Sequence, residues 1–343
     1  MTDTPGSMKI DGGLMVGAGE AADAARQLEA QGFDGGWSFE GPHDPFFPLL
    51  LASQTTERLE LGTAIAVAFA RNPMTCANIG HDLQELTKGR FILGLGTQIR
   101  PHIEKRFSQP WSRPAARMRE FVQAIRAIWR CWGEGERLEF RGEFYTHTIM
   151  IPAFNPGPNP YGTPRIFVAG VGPKIVEGLG EVADGFFVHP FHSAAFLEAE
   201  TLPALQRGLD KGGRARKDFE ISCQTITAIG ANDEEIATAR QKAKGQISFY
   251  GSTPAYKGVL AHHGYEDLQP ELNRMSKEGK WLEMITRIDD DLFDTLAVSG
   301  TPAEAGRRLR KRNGGFADRS TLMLYNETDP DAVTDLIRAA KEA

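Results

Sequence analysis

Apolar and polar positions along this chain form a repeated pattern, in which short apolar runs alternate with longer amphipathic segments. In most of the short runs the apolar residues are nearly continuous, which is typical of parallel strands buried on both faces. Helical spacing in most of the intervening segments predicts eight strand–helix units. The runs of strand length fall at residues 8–17, 33–40, 58–69, 91–96, 164–170, 184–190, 219–230 and 320–326.

The clearest helix follows the fourth of these runs. It is predicted to begin near Ser112, a residue type that caps helix N-termini, with Pro114 in the first turn. Its apolar residues recur at helical spacing, at Met118, Phe121, Val122, Ile125, Ile128 and Trp129. Eight strand–helix units in a chain of 343 residues favour the α/β class and a (β/α)8 TIM barrel over an open doubly wound sheet.

Two stretches interrupt the alternation of strands and helices. Residues 137–152 predict a β-hairpin, which continues into a proline-rich extended segment, and residues 251–300 predict an insertion with its own short helices. We therefore expect one domain over residues 1–343, with insertions at about 137–163 and 251–300.

The composition narrows the class of partner. Hydrophobic residues make up 41% of the chain and charged residues 24%, as in a globular protein with a sizeable core. The net charge of -6 argues against a nucleic acid or an anionic membrane as partner. The three cysteines form no Cys-x-x-Cys motif, and the N-terminus has no basic-then-apolar leader pattern. We expect a cytoplasmic protein that acts on a small-molecule substrate.

A Gly-x-Gly segment at residues 94–96 closes the fourth predicted strand. A dinucleotide site needs a third glycine and a helix that begins at once, so that the helix N-terminus meets the pyrophosphate. Here no third glycine follows, and about fifteen residues of loop precede the helix at Ser112. In a barrel, residues after a strand's carboxyl end lie on the catalytic face. The residues predicted to line the mouth are Gly96, Thr97, Gln98, Arg100 and His102.

The stretch RNPMTCANIGHDLQELTKGRFILGLGTQIRPHIEKRF, residues 71–107, resembles the core of the bacterial luciferase-like flavin and deazaflavin enzymes. Their hallmark is an Arg/Asn-Pro start, an Ala-rich helix and Gly-Arg-Phe-x-Leu-Gly-x-Gly. With PAARMREFVQAIRAIW and FYGSTPAY added, the chain looks most like the actinobacterial branch that uses coenzyme F420, a deazaflavin. The resemblance implies a (β/α)8 barrel with an insertion near its seventh unit. It also implies a cofactor ring at the carboxyl-terminal mouth, with FMN as the alternative cofactor.

A flavin or deazaflavin carries a phosphate on its ribityl tail, and the segment VAGVGPK, residues 168–174, meets the physical requirements for binding it. Two glycines allow close approach of the backbone, and proline at the first helical position leaves the following N–H groups free. An ordinary tight loop between a strand and a helix is the alternative. In the family this loop receives the phosphate, which implies a binding role for Ala169, Gly170, Val171, Gly172, Pro173 and Lys174.

The resemblance implies three further contacts with the cofactor. A cis peptide bond between Ala64 and Ile65 would lie behind the ring, and His102 would contact the ring edge. His189 falls where a threonine or serine of the family meets the cofactor or the substrate. Gly96 and Thr97 would end the fourth strand under the cofactor.

The sequence does not determine which residue is the catalytic acid or base. Related deazaflavin dehydrogenases carry Asp-His where this chain has Phe39-Glu40. Glu40 can take the role, or His43 can reach in, with Asp44 as a carboxylate that orients its imidazole. Both Glu40 and His43 are therefore candidate catalytic residues, and no metal ligand set is predicted.

Three classes of function follow from these expectations. The first is a coenzyme F420-dependent oxidoreductase that transfers a hydride between the deazaflavin and a small organic substrate. The second is an FMN-dependent monooxygenase of the same fold, to which a reductase partner supplies reduced flavin. The third is a binding protein without catalysis, although a relic would not need Gly170 and Gly172. We expect a homodimer, and the sequence names no particular substrate.

Overall fold

The computed structural model describes residues 8–343, so the N-terminal residues 1–7, where no leader pattern is expected, lie outside it. The strands, numbered in chain order, are β1 Lys9–Gly13, β2 Gly35–Ser38, β3 Glu60–Thr63, β4 Ala66–Val67, β5 Phe91–Gly96, β6 Phe140–Arg141, β7 Thr146–His147, β8 Arg165–Ala169, β9 Gly185–Val188, β10 Glu220–Ile229, β11 Ala297–Gly300 and β12 Arg319–Leu324.

The helices, numbered likewise, are α1 Ala21–Ala30, α2 Phe46–Ser53, α3 Pro73–Leu86, α4 Arg100–Lys105, α5 Pro114–Glu134, α6 Pro173–Val182, α7 Ala194–Phe196, α8 Leu202–Lys211, α9 Asp233–Gly251, α10 Lys257–His262, α11 Leu268–Lys277, α12 Trp281–Ile285, α13 Asp290–Leu296, α14 Pro302–Asn313 and α15 Pro330–Glu342. None of these helices of residues 8–343 has the length and apolar character needed to cross a membrane.

Eight parallel strands close into a barrel, as the sequence predicts. Around the barrel the order is β1, β2, β3, β5, β8, β9, β10 and β12, and β12 pairs with β1 to close the sheet. Every residue of β2, β5 and β9 is buried, because helices cover the outer face and side chains fill the interior. The fold is therefore a (β/α)8 TIM barrel.

The glycines of the Gly-x-Gly segment serve the packing of β3 against β5. A Cβ on Gly94 would lie 1.6 Å from the carbonyl oxygen of Thr63, and one on Gly96 would lie 2.7 Å from Ile65. The Thr63 hydroxyl donates to the Gly94 carbonyl oxygen at 2.6 Å and accepts from the Gly94 N–H at 3.0 Å. A side chain on Gly94 would collide with the backbone of β3, and one on Gly96 would displace the side chain of Ile65.

A cluster of six charged residues lies at or near the amino-terminal ends of the barrel strands, and its charges balance. Arg319 is completely buried; its guanidinium donates to Asp11 at 2.8 and 2.9 Å, and its Nη1 reaches Glu60 and Glu220 at 2.5 and 3.2 Å. Burial alone would raise the pKa of Glu60, but nearby cations outweigh burial and lower it to about 2. The other cations of the cluster are Arg165 and Lys9.

The segments outside the barrel strands confirm some predictions and correct others. The antiparallel pair β6–β7 confirms the hairpin, and helices α10–α13 confirm the helical insertion. The predicted fifteen-residue loop is wrong, because it contains α4, which is anchored by the fully buried Ile103. The predicted cap at Ser112 is also wrong, because Arg113 occupies the N-cap position and no side chain caps α5. The strand β11, which pairs with the carboxyl-terminal part of β10, was not predicted.

Candidate cofactor and active site

A cavity of about 1090 Å³ opens at the carboxyl-terminal mouth of the barrel. This volume suits a ligand larger than most substrates, such as a cofactor together with a small molecule. A second cavity, of about 730 Å³, lies at the opposite end, near the first residues of β1 and β10. Because TIM-barrel active sites are built from the loops at the carboxyl ends of the strands, the cavity at the mouth is the candidate site.

Most of the residues predicted from the sequence line this cavity. They are Ala64, Ile65, Gly96, Thr97, Gln98, Arg100, Ala169, Gly170, Val171, Gly172, Pro173, Lys174 and His189. Glu40, His43 and His102 are not among the lining residues. The structure therefore brings together the predicted cofactor residues from β3, β5, β8 and β9 and leaves out both candidate catalytic residues.

The loop between β8 and α6 has the geometry of an anion site. Gly172 is the N-cap of α6 at φ 91°, a conformation that only glycine adopts readily, and Pro173 opens the helix. The N–H groups of Lys174 and Ile175, in the first turn, have no partner within an α-helix. Lys174 makes no ion pair with the described residues, so its ammonium group is available to an anion. The loop thus fits the phosphate of a flavin or deazaflavin.

Another part of the cavity wall is formed by Ala64 and Ile65, and the peptide bond between them is cis, as the resemblance implies. Hydrogen bonds hold the segment from behind. The Ala64 N–H donates to the Ser38 carbonyl oxygen at 2.7 Å, and the Glu40 N–H donates to the Ile65 carbonyl oxygen at 3.1 Å. The Val67 N–H donates to the Glu40 carboxylate at 2.7 Å. The short side chain of Ala64 leaves this wall open to a flat ring.

The carboxylate of Glu40 is engaged away from the cavity. It forms an ion pair with Arg71, and its side chain is only 7% exposed. Asp44, the carboxylate suggested to orient His43, accepts hydrogen bonds from Arg71 at 2.8 Å and from the Phe46 N–H at 2.9 Å. His43 is exposed. Geometry therefore gives Glu40 a structural role behind the wall, and it places His43 in the lining of a separate cavity of about 320 Å³ next to the carboxyl ends of β1 and β2.

Replacing Glu40 with glutamine should destabilise the protein, because Arg71 loses a charged partner in a largely buried position. We expect the free energy of unfolding to fall by about 1–3 kcal/mol, measured by urea denaturation. His43→Ala, at an exposed position, should change it by no more than about 0.5 kcal/mol. Equal stability of the two variants would contradict the structural role of Glu40.

His189, at the carboxyl end of β9, is the histidine that lines the cavity. Its Nδ1 accepts a hydrogen bond from the Phe191 N–H at 3.1 Å. Its ring stacks on Tyr256, with centroids 4.4 Å apart and an interplanar angle of 22°, and meets Tyr250 edge-on at 4.7 Å. Burial lowers the pKa of His189 to about 3, so the imidazole is neutral at physiological pH.

His192 lies behind His189 and is buried. Its Nδ1 donates to the His189 carbonyl oxygen at 2.8 Å, and Arg312 donates to the His192 carbonyl oxygen at 2.7 Å. Burial, together with the charge of Arg312, lowers the pKa of His192 to about 3. The spacing His189-x-x-His192 is therefore used for backbone and ring hydrogen bonds, and no group of three or more metal-binding side chains is present within residues 8–343.

The low pKa of His192 predicts a loss of stability in acid. An unfolded histidine takes up a proton near pH 6.5, whereas folded His192 does so only near pH 3. Between these values the unfolded chain binds more protons, so stability falls as the pH falls. In His192→Asn the side-chain amide can still donate to the His189 carbonyl oxygen but does not titrate. From about pH 6.5 to 4.5 the free energy of unfolding of the native protein should fall by up to about 1.4 kcal/mol per pH unit more than that of this variant.

Parallel urea denaturation series measure this difference. An identical pH dependence of the two proteins would show that His192 does not stay neutral in the folded state. His189→Asn provides a second comparison, because His189 has a pKa shift in the same direction and by the same cause.

Positively charged side chains line part of the cavity. Arg100, Arg113 and Lys174 line it, and no carboxylate is found among its lining residues within the described part of the chain. Arg100 is paired with Glu104 at 2.9 Å, and Arg113 is paired with Glu143. Both arginines are exposed at the mouth. An acidic ligand is therefore favoured over a cationic one.

His102, predicted at the ring edge, lies on the exposed side of α4. The neighbouring Ile103 is completely buried, and consecutive helical residues point about 100° apart, so anchoring Ile103 turns His102 outwards. The prediction that His102 forms a wall of the cavity has no support in this geometry. Arg100 and Ile99 supply the lining from this helix and its N-cap.

Several lining residues were missed by sequence reasoning. Gln224 on β10, Phe187 on β9 and Thr253 from the insertion reach the cavity, as do Ala115 and Ala116 on α5. A glutamine within an otherwise buried strand was the available clue to Gln224, since a polar side chain in a barrel strand needs a polar environment. Nothing in the sequence indicated that α5 contributes alanines to the mouth.

A closed parallel barrel with a ligand-sized cavity at the carboxyl ends of its strands defines the molecule as a TIM-barrel protein with the architecture of an enzyme. Residues 4–319 match the family model described as luciferase-like monooxygenase, so the chain belongs to the luciferase-like monooxygenase family.

Three comparisons illustrate the relationship. A Mycobacterium tuberculosis protein named as uncharacterized is 56% identical over 312 residues, covering 91% of this chain and 92% of that protein. The F420-dependent glucose-6-phosphate dehydrogenase of Intrasporangium calvum is 30% identical, with 86% and 85% covered. The coenzyme F420-dependent tetrahydromethanopterin reductase of Methanopyrus kandleri superposes with a TM-score of 0.79 at 17% identity, with 97% of each chain covered, which shows the shared fold.

Proposed function

We propose that the protein is a coenzyme F420-dependent oxidoreductase that acts on a small organic substrate. The observation that carries the proposal is the loop from Gly170 to Lys174, which opens onto the same cavity as the wall formed by Ala64 and Ile65. A phosphate-binding helix N-terminus and a flat apolar wall within one cavity are what a ribityl phosphate and a tricyclic ring require. The F420-dependent relative supports the same class.

Each element of the cavity has a defined task in this proposal. Gly172, Lys174 and the first turn of α6 hold the phosphate, and Ala64 and Ile65 support the ring. Phe187 and Trp111 exclude water from the interior of the cavity. When bound, the deazaflavin supplies or takes up a hydride at its ring carbon.

The excess of positive charge favours coenzyme F420 over FMN. FMN has one phosphate, whereas the tail of coenzyme F420 carries carboxylates beyond its phosphate. Besides Lys174 at the phosphate loop, Arg100 and Arg113 line the same cavity and can attract these carboxylates. The FMN-dependent monooxygenase, with a reductase partner, remains the second candidate, because the family includes monooxygenases and the phosphate loop fits either cofactor.

Binding measurements distinguish the two cofactors. Trp111 lines the cavity, so a bound ring should quench its fluorescence. Titration of the full chain should show saturable quenching with an affinity for coenzyme F420 about tenfold or more above that for FMN, a preference that weakens as salt screens the arginines. Trp111→Phe is the control, because it should remove most of the change in signal without abolishing binding. Tighter binding of FMN would favour the monooxygenase, and binding of neither would overturn the proposal.

A further inference from the structure

The imidazole of His189 is held in one orientation by contacts on several sides. Tyr256 stacks on its face, Tyr250 meets it edge-on, and the Phe191 N–H donates to its Nδ1. The backbone of His189 is fixed as well, because its carbonyl oxygen accepts from His192. A side chain fixed this firmly at a cavity wall is preorganised for a ligand rather than free to rotate.

The hydrogen bond from Phe191 determines where His189 carries its proton. A nitrogen that accepts a hydrogen bond is unprotonated, so in the neutral ring the proton lies on Nε2. Nε2 has no hydrogen-bond partner among the described residues, and the side chain lines the cavity. The ring therefore has one unused donor in the wall of the candidate site.

The groups around His189 favour the neutral form of its imidazole ring. The titratable groups next to it are Tyr250, Tyr256 and His192, and Arg312 lies beyond His192. No carboxylate of the described residues forms an ion pair or a hydrogen bond with His189, so nothing stabilises an imidazolium. Burial lowers the pKa of the ring in the same direction.

The lining of the cavity has a charged part and an uncharged part. Arg100, Arg113 and Lys174 come from segments that follow β5 and β8 or that begin α5. The wall formed by β9, β10 and the insertion contributes His189, Gln224 and Tyr256, which are hydrogen-bonding but uncharged. An acidic cofactor is attracted to the charged part, which leaves the uncharged part for a ligand without charge.

We propose that His189 is a substrate-binding residue that presents its Nε2–H to an uncharged oxygen of the substrate, such as the oxygen of a carbonyl or hydroxyl group. This proposal rests on the proposed function and names its substrate class as neutral carbonyl or alcohol compounds. His189 holds its proton and does not transfer it, because a neutral imidazole that loses a proton becomes an unstable anion. Its effect is to orient the substrate and to polarise the bond to oxygen.

The position of the proton can be measured without cofactor or activity. In the uniformly ¹⁵N-labelled full chain, His189 should show an unprotonated Nδ1 and a protonated Nε2, unchanged between about pH 8 and 5. Loss of these signals in His189→Phe, a variant that preserves aromatic packing against Tyr256, assigns them. If that variant does not fold, Tyr256→Leu assigns them instead, because removal of the stacked ring shifts the His189 signals most. A proton on Nδ1, or titration near pH 6.5, would overturn the proposal.

A pair of matched probes tests the preference for an uncharged acceptor. Cyclohexanone should shift the Nε2–H resonance of His189 in a saturable way, and cyclohexanecarboxylate should bind there about tenfold more weakly or not at all. His189→Phe should weaken cyclohexanone binding about threefold to tenfold, whereas His102→Phe, outside the cavity lining, should leave it unchanged. No response to cyclohexanone, or a larger response to the carboxylate, would contradict the inference.

Failure of this inference and failure of the proposed function give different results. If the protein binds coenzyme F420 but His189 titrates near pH 6.5, the proposed function stands and the proposal of a neutral donor at His189 is contradicted. If His189 behaves as described but the protein binds neither coenzyme F420 nor FMN, the proposed function is contradicted. The oxygen compound that binds His189 is then not a substrate for hydride transfer.

Discussion

The substitution Gly172→Asp is expected to weaken cofactor binding by about 100-fold or more while the barrel remains folded. The carboxylate would stand at the N-cap of α6, beside the first-turn N–H groups, where it competes with the phosphate and repels it. No atom lies within 4 Å of a Cβ built at this position, so the effect does not depend on a steric clash within the protein. Quenching of tryptophan fluorescence by the cofactor measures the loss.

The control for this substitution is Gly32→Asp. Gly32 also has a positive φ, 87° against 91° for Gly172, and no atom lies within 4 Å of its added Cβ. It follows α1 at the amino-terminal end of β2, away from the mouth of the barrel. Both variants place the same new charge at a glycine of positive φ with open space around its Cβ, so the comparison tests for a phosphate site at Gly172. Equal cofactor affinities in the two variants would remove the phosphate loop from the proposal.

The substitution Arg319→Met is expected to lower the free energy of unfolding by about 3–5 kcal/mol. It removes the guanidinium that neutralises Asp11, which is completely buried and accepts from Arg319 at 2.8 and 2.9 Å. Without Arg319, the three carboxylates of the cluster face only two cations, Lys9 and Arg165. The loss arises from the buried charge left behind rather than from a missing contact, and urea denaturation at neutral pH measures it.

Two further variants give this prediction its controls. Arg338→Met removes an exposed ion pair with Asp335, which should cost at most about 1 kcal/mol. Arg319→Lys retains the charge but not the two parallel hydrogen bonds to Asp11, so its stability should lie between those of the native protein and Arg319→Met. If Arg319→Met were no more destabilising than Arg338→Met, the cluster would not hold the barrel together.

The strands and the turn at Gly172 were predicted more accurately than the positions of single side chains. Glycine and proline limit the backbone by themselves, so the sequence GVGP was enough to predict the turn at Gly172. The role of Glu40 required its partner Arg71, thirty-one residues away, whose position depends on the packing of α3. The orientation of His102 required the burial of Ile103, and the sequence does not distinguish the two faces of so short a helix.

The sequence by itself determined the barrel and the loop that fits a phosphate. Continuous apolar strands must be buried on both faces, and eight strand–helix units in a chain of 343 residues favour a closed barrel over an open sheet. The tertiary structure decided which of the candidate polar side chains reach the cavity, since Glu40, His43 and His102 do not line it. His189 gained its neutral state from burial among the rings of Tyr250 and Tyr256, which long-range packing brings against it. A pKa depends on surroundings assembled from distant segments, and no local pattern of residues specifies those surroundings.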